Sequence, residues 1–176
     1  MLPTEKSYSV LVVSAAEKFN NALTELLPAS TFDPVRKASG ISQARRVLAE
    51  RSFDIVIVNS PLPDDPGIRF SIDASELKGT VVLAIVRADQ SDDIYAKVSR
   101  YGVFTLSKPL SRQTFQTAVL WLISARERIR RLEKKTNSIE DKMEEIRIVN
   151  RAKWLLIREL SMDEPGAHRY IEKQAM

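Results

Sequence analysis

The sequence predicts an α/β protein: a doubly wound, five-stranded parallel sheet, then a long coiled-coil helix and a small all-α tail. Three observations predict it. Short β-rich apolar runs recur through the first two-thirds of the 176 residues. Amphipathic helical periods lie between those runs. After Ser111 proline and glycine vanish until Pro165, and the chain turns helical and charged.

The strands come first. Tyr8-Ser9-Val10-Leu11-Val12-Val13, Asp54-Ile55-Val56-Ile57-Val58-Asn59 and Thr80-Val81-Val82-Leu83-Ala84-Ile85-Val86 are continuous apolar runs. Runs of this length suit parallel strands buried on both faces. Thr31-Phe32-Asp33-Pro34-Val35-Arg36 and Val103-Phe104-Thr105-Leu106 complete five. Between them, Phe19, Leu23, Leu26 and Leu27 form one helical stripe, and Ile41, Ala44, Val47 and Leu48 another. Ile94, Val98 and Tyr101 form a third, closed by Gly102, a normal helix C-terminal signal. Strand-helix alternation at this spacing predicts right-handed crossovers and a site beyond the carboxyl ends of the strands. Ser14, Asn59, Val86 and Lys108 are expected around that pocket.

In the long helix, Leu122, Ala125, Ile129, Leu132, Thr136, Ile139, Met143, Ile146 and Asn150 alternate by three and four residues. That is a heptad register held for four heptads, the pattern of a dimeric coiled coil. In a parallel pair Arg128 would face Glu133 of the partner subunit and Lys135 would face Glu140 of the partner subunit. Lys142 opposite Arg147 of the partner subunit is unfavourable. Two alternatives stand beside the dimer. These apolar positions could pack on the chain's own sheet domain, or Asn137-Ser138 with Glu140 could cap a new helix. The register runs unbroken through that point, which favours one continuous helix. Beyond it, Asp163 is placed to cap a last helix, with Glu164 in its first turn and Pro165 tolerated there.

Composition narrows the function. There is no cysteine, which excludes disulfides, zinc ribbons and thiol catalysis. The opening segment Met1-Leu2-Pro3-Thr4-Glu5-Lys6-Ser7 is polar, and no apolar stretch is long enough to span a bilayer, so a cytoplasmic protein without membrane contact is expected. Net charge is +4, split as +1 over residues 1–112 and +3 over residues 113–176. A basic tail permits nucleic-acid contact without requiring it. There is no glycine-rich phosphate loop, metal-ligand spacing or nucleophile motif, so no enzyme activity and no cofactor are expected.

Asn59 at the end of the third strand, followed by Pro61-Leu62-Pro63, and Lys108-Pro109 after the fifth, give residues 7–112 their resemblance to the receiver domain of two-component response regulators. The resemblance implies a flavodoxin-like strand order. It also implies that an acidic pair for magnesium would stand at Ser14 and Ala15, a phosphoacceptor aspartate at Asn59 and a hydroxyl sensor at Val86. Only the lysine, Lys108, is kept. A carboxamide is no carboxylate nucleophile, and magnesium prefers carboxylate oxygens. A pseudo-receiver that is not phosphorylated is therefore expected. Asp64 and Asp65 read as solvated turn acids, and Glu17 as a helix-start residue. Lys108 is expected to pair with an acid or donate to Asn59.

The tail resembles the ANTAR domain, an RNA-binding output of transcription antitermination regulators. Residues 138–176 carry this, through Ile148-Val149-Asn150-Arg151-Ala152-Lys153-Trp154-Leu155-Leu156, Leu160-Ser161-Met162-Asp163-Glu164, and Ala167 to Met176. Trp154 stands where the family has a small residue, and Pro165-Gly166 replaces a polar pair. The family pattern continues into a third helix, so the output is expected to be cut before it. The resemblance implies structured RNA hairpins as partner, with Arg151, Lys153, Arg158, His168, Arg169, Tyr170 and Lys173 as candidate contacts; Trp154 is read as a packing residue. The expected domains are 1–112 (pseudo-receiver), 113–147 (dimerising coil) and 148–176 (output). The competing reading is a receiver-shaped scaffold that binds protein partners and dimerises without touching RNA.

Overall fold

The computed structural model describes residues 7–175. The polar opening segment, apart from Ser7, and Met176 lie outside the described residues. The chain divides into two compact units, Met1–Arg130 and Arg131–Met176.

In the first unit, β1 (Val10–Val13), β2 (Val35–Ala38), β3 (Ile55–Asn59), β4 (Val81–Arg87) and β5 (Phe104–Lys108) form a parallel sheet in the order β2-β1-β3-β4-β5. Side chains alternate across a pleated strand, so odd and even positions enter different layers. Leu11, Val13, Val56, Val58, Val82, Ala84 and Val86 pack with Ile41 and Ala44 of α2 (Ile41–Glu50), Phe70 of α3 (Ile68–Ser75) and Val98 of α4 (Ser91–Val98). Val10, Val12, Ile55, Ile57, Leu83 and Ile85 pack with Leu23 of α1 (Glu17–Leu26) and with Phe115, Val119, Leu122 and Ile123 of α5 (Arg112–Leu160). Each fully buried Leu or Phe contributes roughly 1.5–3 kcal/mol, so both layers are substantial cores.

Three expectations change here. The second strand starts at Val35, later than expected, because the Thr31 and Phe32 amides turn back onto the Pro28 carbonyl (both 2.9 Å) and Pro34 has no N–H. Helix α3 was not foreseen; its short apolar face, Phe70 and Ala74, follows a proline-rich loop that hides the period. Finally, Leu122 is 0 % exposed, and Ala125 and Ile129 pack against the same layer. Leu122 is thus core of its own chain, and Ala125 and Ile129 are partly covered by that core. The first unit accordingly reaches past the boundary expected at residue 112.

The amino-terminal end of the sheet is fastened by charge. The Asp54 carboxylate accepts from the Ser9 amide and hydroxyl (both 3.0 Å), from Arg126 Nε (2.7 Å) and from Arg130 (3.2 Å). Burial alone would raise its pKa; the Ser9 donors and Arg126 outweigh that and hold it below the ordinary carboxylate value. Tyr8 donates to Glu127 Oε1 (3.1 Å) in the same cluster.

Helix α5 is continuous over 49 residues through Asn137-Ser138, so no new helix starts there. In the second unit it supplies residues 131–160 and is followed by α6 (Glu164–Ala175). The turn between them has Ser161 at φ 52°, a left-handed C-terminal cap taken without glycine. As expected, Asp163 caps α6: its Oδ1 accepts from the Gly166 amide at 2.9 Å. Ala167 is fully buried, and Ala152, Leu155 and Leu156 line an apolar groove with Tyr170 and Ile171.

Candidate functional site

Strand parity decides which residues meet at the carboxyl end of the sheet. Ser14 follows Val10 and Val12, Asn59 follows Ile55 and Ile57, and Lys108 follows Phe104 and Leu106, all in one layer. The Asn59 Nδ2 donates to Ser14 Oγ at 3.0 Å, and both side chains are buried. The Ser14 Oγ also accepts from the Ala16 amide at 3.2 Å. Asn59 Oδ1 is buried without a hydrogen-bond partner. Lys108 Nζ donates to the carbonyl of Ser60, the residue directly after Asn59. The lysine therefore neither donates to Asn59 nor meets an acid among the described residues. Burial pushes its pKa below the ordinary lysine value.

Val86 does not belong to this group. It is 0 % exposed in the opposite layer, with Val82 and Ala84. The β4 residue sharing the face of Asn59 is Arg87, two positions beyond Ile85, which pairs with Asn59; Arg87 itself pairs with Lys108 in the register. Arg87 holds Asp89 through Nε and Nη2 at 3.0 and 2.8 Å. Ala15 is exposed just past β1.

The neighbouring acids are occupied elsewhere. Asp64 is no free turn acid: its two oxygens accept from the Ile41 and Ser42 amides, each at 3.0 Å, capping α2 from 23 residues away in sequence. Those two amides hold its pKa below the ordinary value. Asp65 accepts from the Gly67 amide at 2.6 Å. Gly67 has φ +82°, and a Cβ there would meet Val58 Cγ1 at 2.9 Å, so the turn requires glycine. Ser14, Ala15 and Asn59 supply no carboxylate, and among the described residues no cluster of acids or histidines could hold a metal ion. The donor set does not fit magnesium.

The second unit carries the cationic candidates. Lys153 reaches Glu164 Oε1 at 3.3 Å, with its side chain only 18 % exposed, so it ties the two helices together. Arg158 pairs with Glu159, and His168 Nε2 lies 3.3 Å from Glu172. Arg151, Arg169 and Lys173 are exposed and have no ion pair among the described residues. Tyr170 is partly exposed beside the apolar groove. Trp154 is not a packing residue: it is 73 % exposed.

Residues 137–176 match the family model of the ANTAR domain. The chain is 23 % identical over 167 residues to the transcriptional regulatory protein PdtaR of two Mycobacterium tuberculosis strains, covering 95 % of this chain and 82 % of theirs. The first unit superposes on the signal receiver domain of an HD-domain-containing protein from Pseudomonas fluorescens Pf-5. That match has TM-score 0.62 and 23 % identity over 74 % of this chain and 97 % of the other. A chemotaxis response regulator of Vibrio cholerae gives TM-score 0.58 and 18 % identity over 66 % and 99 %.

The chain joins a receiver-like fold to a segment that matches the ANTAR domain model.

The ANTAR match begins inside α5 and takes in all of α6, so the segment comprises the last turns of the long helix, the Ser161 turn and the capped final helix. No helix of the described chain is long and apolar enough to cross a membrane.

Proposed function

We propose that this protein is an RNA-binding transcription antitermination regulator whose receiver domain is not phosphorylated. The ANTAR match over residues 137–176, on a helical unit bearing exposed cations, carries this reading. Arg151, Arg169 and Lys173 are its phosphate contacts, with Tyr170 beside them. Lys153 is held in a half-buried pair with Glu164 and contributes less, whereas Arg158 and His168 sit in exposed contacts with acids that a phosphate can displace. Two protomers present paired ANTAR segments to RNA hairpins, joined along Leu132, Thr136, Ile139, Met143 and Ile146. Of these, Leu132, Ile139, Met143 and Ile146 are about half or more exposed in the single chain.

The receiver pocket supports the second half of the proposal by its chemistry. Asn59 has no carboxylate to accept a phosphoryl group, and its neighbours cannot gather magnesium to neutralise the transferring charge. Incubation with acetyl phosphate and magnesium is expected to leave the chain unlabelled. Asn59→Asp alone is expected to leave it unlabelled too, since Ser14 and Ala15 still lack carboxylates. Labelling of the wild type would overturn this part.

The test of the main reading is a titration of the full chain with RNA containing two hairpins, repeated across a salt series. Affinity should fall linearly on a log–log plot as salt rises, with a slope set by the phosphates neutralised. Absence of saturable binding at every salt concentration would sink the RNA reading and leave the scaffold, which predicts a protein partner on the receiver surface instead.

A further inference from the structure

Trp154 is the most exposed large hydrophobic side chain of the described residues, at 73 %. It lies on α5 at spacings of seven and three from Arg147 and Arg151, and four before Arg158. Steps of three and four residues place side chains on one helix face. Arg147, Arg151 and Arg158 are all exposed. Arg151 has no ion pair among the described residues, whereas Arg147 and Arg158 hold Glu144 and Glu159 in exposed pairs. Such pairs are weak and exchange readily for another anion. The apolar groove shared with α6 is lined from α5 by Ala152, Leu155 and Leu156, and Trp154 is not among its lining residues. Packing within the unit therefore leaves the indole free.

We propose that Trp154, framed by Arg147, Arg151 and Arg158, is a stacking platform for an unpaired RNA base. An indole offers a flat π-face that any base can cover, and the flanking guanidiniums take the adjacent phosphates. The frame also argues against a second copy of this chain as the occupant. Arg151, whose charge no acid offsets among the described residues, would meet its own equivalent across a pair of like surfaces, whereas a polyanion neutralises it. The proposal rests on the RNA-binding reading and adds to it a requirement for an unpaired base.

The sequence has two tryptophans, so Trp121→Phe leaves Trp154 as sole reporter in the full chain. This variant is titrated with a hairpin whose loop bases are unpaired, and with the same stem closed as a blunt duplex. Labelled-RNA anisotropy gives affinity independently. Quenching of Trp154 emission by the looped RNA should saturate with the anisotropy midpoint and be unchanged by tenfold protein dilution. The blunt duplex should quench less. Trp154→Ala should weaken looped-RNA binding about tenfold, Trp154→Phe should retain most of it, and neither should change the salt slope. Arg151→Gln should instead lower that slope by about one. Because the side chain is exposed, circular dichroism of Trp154→Ala should match the wild type. If RNA binds while Trp154 emission and Trp154→Ala affinity stay unchanged, the platform is overturned and the RNA reading stands. If the wild type binds no RNA, both fall. Quenching that follows protein concentration without RNA would assign the ring to a second copy and overturn the platform.

Discussion

Within α5, the same residue types have opposite fates in its two parts. Leu122 is 0 % exposed and Ile123 is 6 % exposed, whereas Leu132 and Ile139 are 56 % and 49 % exposed. The first pair sits against the layer built by Ile55, Ile57, Leu83 and Ile85. The second pair has no such layer among the described residues of its unit. An apolar period predicts that a face wants cover; it does not say who covers it. That difference teaches how to read the heptads. In the proposed dimer the seam begins at Leu132, because Leu122 is buried against the sheet and Ala125 and Ile129 are partly covered by it.

The sharpest break of this comparison is a paired truncation. Leu122→Ala should lower the stability of the first unit by about 3 kcal/mol, through lost transfer energy and a residual cavity. Urea unfolding followed by circular dichroism would show it. Equal losses for Leu132→Ala at dilute, monomeric concentration would erase the distinction between the two parts.

Next in size is the charged fastening of α5. Asp54→Asn should cost about 2 kcal/mol, because two arginines and two Ser9 donors lose a charged acceptor. The sign with pH follows from the lowered Asp54 pKa. A depressed carboxylate contributes stability above its unfolded value of about 3.8 and loses it as pH falls through the folded value. The wild type should therefore lose its advantage over Asp54→Asn as the solution is acidified below about pH 4; a gap that persisted to pH 2 would contradict the assignment.

A smaller effect is expected in the second unit. Asp163→Ala removes the α6 cap and should cost about 1 kcal/mol. Faster amide exchange confined to α6 is the expected signature, with the sheet amides unchanged. Smallest of all on unfolding is Ile139→Ser, expected near zero for the isolated chain. It should instead weaken self-association in sedimentation, and an unchanged sedimentation profile would remove Ile139 from the seam.

Much of the fold was legible because long-range pairing here follows local apolar runs. Val10–Val13, Ile55–Asn59 and Val81–Arg87 announce buried parallel strands by composition. The caps at Gly102 and Asp163 announce themselves through backbone chemistry. What stayed hidden depended on register or on distance. Val86 and Arg87 differ by one position, and only the pairing of Ile85 with Asn59 shows which faces the pocket. The short α3 gives too few turns for a clear period. Trp154 was read as packing because tryptophan usually is buried; its exposure follows from which face of α5 meets α6, and no local pattern encodes that.

Asp64 carries a lesson for mutational scanning. It stands five residues past Asn59, near the strand end where the receiver resemblance implies a phosphoacceptor. A scan of viability would flag it as sensitive, and the obvious explanation would be a metal ligand. Its two oxygens in fact terminate α2 through the Ile41 and Ser42 amides. Asparagine keeps only one of these two acceptors and binds divalent ions poorly, so partial tolerance of Asn beside intolerance of Ala is the fingerprint of a helix cap.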